Sequence, residues 1–232
     1  MLRKIKCSTE IAYIIGMSVI AFGTALITKA NFGVNIVVAP AYIFHLYMQS
    51  IGLTYYTFGV CQYISQGILL IAVAAVCKRF KKSYLFAFAS AVIEGYLLDL
   101  ALWALPDASS ISIQIVFYVF GQIVLALGIS FMLKTYITPE VYELAVVEFT
   151  EVFAKFQTWA SVTIVKITYD VCMCILAVLL SWAFFGFGTF EGLGVGTIVN
   201  MIVAGFLIGA FTKVQDLLFE YRDYLNLRNY FS

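Results

Sequence analysis

One histidine, three prolines and five cysteines are all that this 232-residue chain carries of those types, and charged residues make up only 12% of it. A lone His45 argues against a histidine-based metal site and against a Ser-His-Asp hydrolase. It reads instead as a hydrogen-bonded helix histidine. Cys7, Cys61, Cys77, Cys172 and Cys174 are odd in number and show no CxxC or Cys/His ligand spacing, so they read as small apolar filler. HExxH, GxSxG and the phosphate-loop pattern GxxxxGK[ST] are all missing, and the expectation is a protein that is not an enzyme and needs no cofactor and no metal. No basic patch points to nucleic acid, and no linker rich in Pro, Gly or Ser sets off a separate soluble domain.

What fills the space is apolar: 63% of residues are hydrophobic and the mean hydropathy is +0.98, whereas soluble domains carry about 25% charge. Uncharged runs at 11–28, 108–133 and 192–212 each hold enough residues to cross a hydrocarbon core of about 30 Å at roughly 1.5 Å per helical residue. The expected class is an all-α, polytopic integral membrane protein whose first partner is the lipid bilayer. A secretory leader is the competing reading of the N-terminus, because Arg3, Lys4 and Lys6 precede an apolar run. That run lacks a small-residue cleavage site and has an internal copy.

The copy lies 105 residues on. Tyr13, Gly16, Val19, Ala21, Gly23 and Lys29 recur as Tyr118, Gly121, Val124, Ala126, Gly128 and Lys134. Two related halves are expected within a single transmembrane domain spanning 1–232: repeat 1 at about 8–104, repeat 2 at about 112–212, and a cytoplasmic amphipathic tail at 213–232.

Eight apolar or amphipathic segments are read at about 11–29, 32–50, 55–77, 83–104, 112–134, 140–157, 160–185 and 193–212. Ten of the 14 Lys and Arg fall in three places: Arg3, Lys4, Lys6; Lys78, Arg79, Lys81, Lys82; and Lys213, Arg222, Arg228. The positive-inside rule places all three in the cytoplasm, so each half crosses an even number of times and one segment in each half does not fully cross. Segment 140–157, with Glu140, Glu143, Glu148, Glu151 and Lys155, is the weakest in the second half. The repeat offset selects 32–50 in the first. About six spanning helices and two re-entrant or half helices follow, arranged as an inverted repeat. Full crossing by 32–50 is the alternative.

Gly16 with Gly23, and Gly121 with Gly128, read as close helix-packing positions. Lys29 and Lys134 close their helices at equivalent repeat positions; each is read as snorkelling to the interface, or as facing an anion or an intramembrane carboxylate such as Glu94 or Asp99. Lys166 and Asp170, four apart, share a helix face and are a structural pair or part of a site. Thr138, Pro139, Glu140 and Glu143 resemble a helix start, with Thr at the N-cap and acids in the first turn. Its counterpart has Asn31, Gly33, Asn35, Pro40 and His45, polar without charge, of which Gly33 and Asn35 tolerate an irregular turn. Glu140, Glu143, Glu148 and Glu151 must face water, lysines or a cation. Gly186, Gly188, Gly192, Gly194 and Gly196 read as a tight turn.

With these residues placed, the chain resembles the YczE/YyaS/YitT group of bacterial multi-pass membrane proteins. The likeness rests on FGTALITKANFGVN at Phe22 to Asn35, TPEVYELAV at Thr138 to Val146, KITYD at Lys166 to Asp170, and FFG with GVGTI between Phe184 and Ile198. Where that group commonly has a proline after the glycine equivalent to Gly33, this chain reads Val34, Asn35, Ile36. The resemblance implies a bacterial inner-membrane protein with repeated halves and a transport-like role, and supplies no substrate. The leading expectation is a small secondary transporter or permease for a polar or charged small molecule. Its site lies between the repeats and is lined by Lys29, Asn35, Glu94, Asp99, Lys134, Glu140, Glu143, Lys166 and Asp170. A channel or lipid-handling protein, or a non-transporting subunit or regulator, stays open, as does a homo-oligomer.

Overall fold

The computed structural model describes residues 5–137, 140–154 and 162–224. In chain order the elements are β1 (Ile5–Ser8), α1 (Thr9–Ala30), α2 (Ala39–Ser50), α3 (Phe58–Cys77), α4 (Lys82–Ala104), α5 (Ile111–Met132), α6 (Val141–Ala154), α7 (Val162–Phe185), α8 (Val195–Leu218) and β2 (Phe219–Arg222). Among the described residues six helices, α1, α3, α4, α5, α7 and α8, are long and apolar enough to cross a membrane. α2 has 12 residues, about 18 Å of helix, too short for a hydrocarbon core of about 30 Å; α6 is described over 14 residues. The chain is a polytopic, helical membrane protein. Its long helices turn large apolar side chains outward, such as Ile11, Ile14 and Ile15 on α1 and Ile198, Ile202 and Phe206 on α8. In water that would be untenable, and in lipid it costs nothing.

Hydroxyl side chains start three of these helices. Ser8, Thr57 and Ser110 accept from the backbone N–H groups of Ile11, Val60 and Ile113 and cap α1, α3 and α5. α1 ends on Asn31 in the left-handed conformation, Gly33 follows at φ +100°, and the Asn35 side chain accepts from Val37 N at 3.3 Å. These three residues hold an irregular turn, so the helix expected over 32–50 begins only at Ala39. Within segment 140–157 the described helix is Val141–Ala154; Thr138, Pro139 and Lys155 lie outside the described residues. Glu140 is the residue immediately before α6, and its carbonyl accepts from Leu144 N at 2.9 Å.

The chain divides into two compact units, with the boundary inside α4 between Tyr96 and Leu97. Unit 1 comprises 1–33, 97–137 and 195–232, and unit 2 comprises 34–96 and 138–194. Each therefore draws on both halves of the sequence.

In unit 1, α1 and α5 run antiparallel in close contact. Gly16 lies against Gly128 and Met132, and Gly23 against Leu125 and Gly121. The approach is close enough that a Cβ at Gly23 would stand 2.6 Å from Leu125 N, and one at Gly128 would stand 2.7 Å from Ile20 N. Packing is thus the observed role of the repeated glycines. Tyr13, Met17, Ile20, Ile27, Leu125, Met132 and Ile137 fill the core around them. α8 joins α5 through Tyr118 Oη donating to Gly196 O at 2.6 Å and Gln215 Nε2 donating to Ser130 Oγ at 2.7 Å.

The tail departs from the expected amphipathic helix. α8 continues to Leu218, and β2 then pairs in parallel with β1, Ile5 opposite Phe219 and Ser8 opposite Arg222. Phe219-Glu220-Tyr221-Arg222 alternates half-buried and exposed residues with the period of a strand. The backbone edge of β1 completes hydrogen bonds that a fraying helix end would leave open. Residues 225–232 of the tail lie outside the described residues. The small sheet is the one departure from an all-helical chain among the described residues, and it brings the two ends of the chain together.

In unit 2, α6 packs on α3 and α7, and α2 packs on α3 and α7. Aromatic contacts anchor α2: Tyr42 meets Phe58 at 4.9 Å and Tyr47 stacks on Phe184 at 4.4 Å between ring centroids. His45 Nδ1 lies 2.7 Å from Tyr56 O, so the lone histidine is a hydrogen-bonded helix residue. The glycine-rich segment after α7 is a tight turn, with Gly186, Gly188 and Gly192 all at positive φ.

Candidate functional site

Unit 2 holds a cluster of polar side chains buried in otherwise apolar surroundings. α3 contributes Gln62 and Gln66, four apart and so on one face; α4 contributes Glu94; Glu140 stands at the mouth of α6. Glu94 is 1% exposed and Glu140 5%. Gln62 Nε2 donates to Glu94 Oε2 at 2.8 Å, and Gln66 Oε1 accepts from Val141 N at 3.2 Å. The second bond satisfies one of the orphan donors that open every helix. Gln66 and Glu140 neighbour Glu94, and Gln66 Nε2 is buried with no hydrogen-bond partner. Glu94 and the glutamines come from the first half of the sequence and Glu140 from the second. Gln62 Oε1 and Glu140 Oε1 are buried and have no hydrogen-bond partner, a cost of about 1–3 kcal/mol for each neutral group left so.

Beside this core lies Glu143, on α6, which packs on α7, the helix that carries Lys166 and Asp170. Lys166 Nζ and Asp170 Oδ1 are 3.9 Å apart, an ion pair too long to be a hydrogen bond. Tyr169 places its hydroxyl in the same interior, also without a hydrogen-bond partner.

α6 is pinned at its other end by charge. Glu148, 2% exposed, accepts from Arg79 Nη2 at 2.6 Å and from Lys81 Nζ at 2.7 Å, and Arg79 also reaches Glu151. Of the acids of this segment, Glu148 and Glu151 face cations. Burial by itself would raise the Glu148 carboxyl, but hydrogen bonds from Lys81 and Arg79 outweigh it and hold the group below the usual carboxylate range. Lys81 lies one residue before α4 and Glu94 twelve residues into it, so the buried acids sit about 18 Å along the helix axis from the basic loop.

The remaining expected site residues are placed elsewhere. Lys29 pairs with Asp107 at 2.5 Å and Lys134 with Asp216 at 2.6 Å, both in unit 1. Glu94 and Asp99 were the acids proposed for these lysines, and the observed partners differ. Each lysine closes a helix end, and a side chain there reaches an acid near the water more readily than one two turns inside; Asp107 is 91% exposed. The two ion pairs are repeat equivalents, the first joining the ends of α1 and α4 and the second those of α5 and α8. Asp99 lies half-buried in the unit 1 portion of α4, and Asn35 is engaged in its own turn.

Sequence reading did not single out Gln62 and Gln66, although two glutamines four apart in the apolar run 58–77 are the signal that would have found them. Glu10 was missed as well: it accepts from Tyr136 Oη at 2.8 Å and from Tyr224 N at 3.1 Å, tying α1 to the segment after α5 and to the chain's end.

Neither a search of curated proteins nor one of solved structures returns a match. A family model matches residues 7–213, and the chain belongs to that family, described as a family of unknown function (DUF6198).

Proposed function

We propose that the protein is a small secondary transporter, or permease, for a polar or charged small molecule, and that the buried acid and amide cluster of unit 2 is its binding site. The carrying observation is the convergence of Glu94, Glu140, Gln62 and Gln66 in an apolar interior. Ionisable groups at such depth are expensive and are kept where they line a path or hold a ligand. Glu143, Lys166 and Asp170 extend the site with both signs of charge, which suits a zwitterionic or otherwise polar molecule.

Two further features support this reading. α6 begins beside Glu94, in the middle of a 23-residue helix, and ends beside Arg79 and Lys81 at that helix's start. We read it as a re-entrant half helix whose N-terminus opens at mid-membrane, the device by which transporters meet their ligands. Repeat-related α1 and α5 cross antiparallel through Gly16, Gly23, Gly121 and Gly128, which supports two halves of opposite orientation. The pairing of β1 with β2 supports both termini on one side, the cytoplasmic side by the positive-inside rule, and the resemblance to the YczE/YyaS/YitT group favours a bacterial inner membrane. Re-entrant helices also occur in channels, which keeps a pore as the second reading.

The test is a thermal-shift screen of the purified protein against metabolites and ions, followed by uptake of each hit into proteoliposomes. A true substrate shifts the melting temperature of wild type, does not shift Glu140→Gln, and enters vesicles at saturable rates. Single-channel current in a planar bilayer would overturn alternating access in favour of the pore.

A further inference from the structure

We infer that the buried cluster of unit 2 takes a small organic cation, a protonated amine that carries a hydrogen-bond acceptor close to its nitrogen. This rests on the reading of the cluster as a binding site and narrows its ligand. Gln62 Nε2 donates to Glu94 Oε2 at 2.8 Å, and Gln66 Oε1 accepts at 3.2 Å from the N–H of Val141, the residue after Glu140. The two glutamines stand one turn apart on α3, so these bonds bring Glu94 and the start of α6 to adjacent levels of one helix face. Both acids are buried. Among the described residues neither forms an ion pair: Arg79 and Lys81 are taken by Glu148 and Glu151, and Lys166 by Asp170. A carboxylate taken out of water without a cation is costly, and a ligand that brings positive charge offsets the cost.

Atoms without partners say what else the ligand carries. Gln62 Oε1 and Glu140 Oε1 are buried acceptors, and Gln66 Nε2 is a buried donor on a side chain with no exposure. The amide heads of both glutamines are already held at the cluster by the two bonds above, so their free atoms lie there too. Tyr142, two residues beyond Glu140, adds a buried hydroxyl without a partner. A bare proton or metal ion suits the carboxyl and carbonyl oxygens but gives Gln66 Nε2 nothing to donate to. Among the described residues no group of three or more His, Cys, Asp or Glu is placed to hold a metal ion. An anion would accept from Gln66 but would stand against the two carboxyl groups. A protonated amine has three N–H donors for the carboxyl groups and Gln62 Oε1, and an oxygen beside it accepts from Gln66 Nε2. Amino alcohols and amino amides have that pattern.

Isothermal titration of the purified protein in nanodiscs with four probes of similar size tests this. Ethanolamine and glycinamide carry both features, propylamine carries the charge alone, and glycolate carries the oxygens with the opposite charge. At neutral pH wild type is expected to bind ethanolamine and glycinamide at least tenfold tighter than propylamine, and not to bind glycolate. Gln66→Leu should bring the first two down to the level of propylamine and leave propylamine unchanged. Glu140→Gln should weaken all three amines at least tenfold, and Glu151→Gln, toward the other end of α6, should weaken none; size-exclusion profiles verify that the variants remain folded. Glycolate bound as tightly as ethanolamine, propylamine bound as tightly as ethanolamine, or no amine bound at all would each overturn the inference on wild type alone. In proteoliposomes, an amine that binds as expected and is not taken up supports the inference and defeats the transporter reading. Saturable uptake of an uncharged or anionic metabolite by a protein that binds no amine defeats the inference and leaves the transporter reading standing.

Discussion

Alanine at Gly23 or Gly128 is expected to destabilise the protein where alanine at Gly205 or Gly209 does not, although all four lie in spanning helices. At Gly23 the added Cβ would meet Leu125 N at 2.6 Å and Leu125 Cα at 2.8 Å; at Gly128 it would meet Ile20 N at 2.7 Å and Gly16 O at 2.9 Å. These are backbone atoms, so no side-chain rotation relieves the clash and the two helices must part by roughly 1 Å to restore contact distances near 3.5–4.0 Å. Overpacking of this kind costs about 1–3 kcal/mol, or about 2–12 °C in melting temperature by the scaling for a domain of this size. Gly205 and Gly209 have nothing within 4 Å of the position a Cβ would take. Alanine there is neutral or gains up to about 1 kcal/mol from helix propensity. Since Gly23 and Gly128 share one seam, the double variant should fall short of the sum of the singles, because the first separation makes room for the second. Thermal unfolding in detergent, followed by a thiol-reactive dye or by intrinsic fluorescence, reads all five variants. Loss at Gly205 equal to that at Gly23, or a Gly23→Ala variant as stable as wild type, would refute the packing argument.

Glu148 gives a pH dependence with a definite sign. Its carboxyl is held below the ordinary value, so the stability it contributes is present above that value and drains away as pH falls through the lowered one; melting curves of Glu148→Gln should be flatter than wild type over that acid range. For Lys134 and Asp216, whose acid is more than half exposed, a double-mutant cycle is expected to give a coupling of about 0.2–1 kcal/mol; a value well above this would mean that the pair is sheltered from water. Single cysteines at Ser8 and at Lys81 in a background stripped of native cysteines should react with an impermeant thiol reagent from the same side of oriented vesicles. Labelling from opposite sides would break the six-span arrangement. Gln62→Leu removes a donor from Glu94 but keeps the volume, and should cost about 1–3 kcal/mol in thermal unfolding; Gln62→Glu adds a third acid and should be worse at neutral pH.

Membrane class and the apolar segments were legible because each is a local property, whereas 32–50, long enough to cross, was set apart only by its alignment with the charged segment 140–157. Hydropathy over about 20 residues and the placement of Lys and Arg need no knowledge of what packs on what. The break before α2 was legible for the same reason, since Gly33 and Asn35 carry their backbone preferences with them. Less was legible at the chain's end. Phe219 to Arg222 has a pattern compatible with an amphipathic helix or a strand, and the choice fell to the free edge of β1, some 210 residues away in sequence. Lysine partners were likewise unreadable, because an acid's availability depends on which helix end lies beside it.

Local composition is enough to specify a helical membrane protein with a repeated glycine and lysine pattern and acids too costly to leave in lipid. Tertiary structure alone decided which of those acids meet. It set Glu94 against Glu140 and the two glutamines, sent Glu148 to Arg79 and Lys81, and tied Lys29 and Lys134 to Asp107 and Asp216. The reason is that partition into a bilayer depends on composition along a helix. Pairing of charges depends on positions to within an ångström or two, and these are fixed only when distant helices pack.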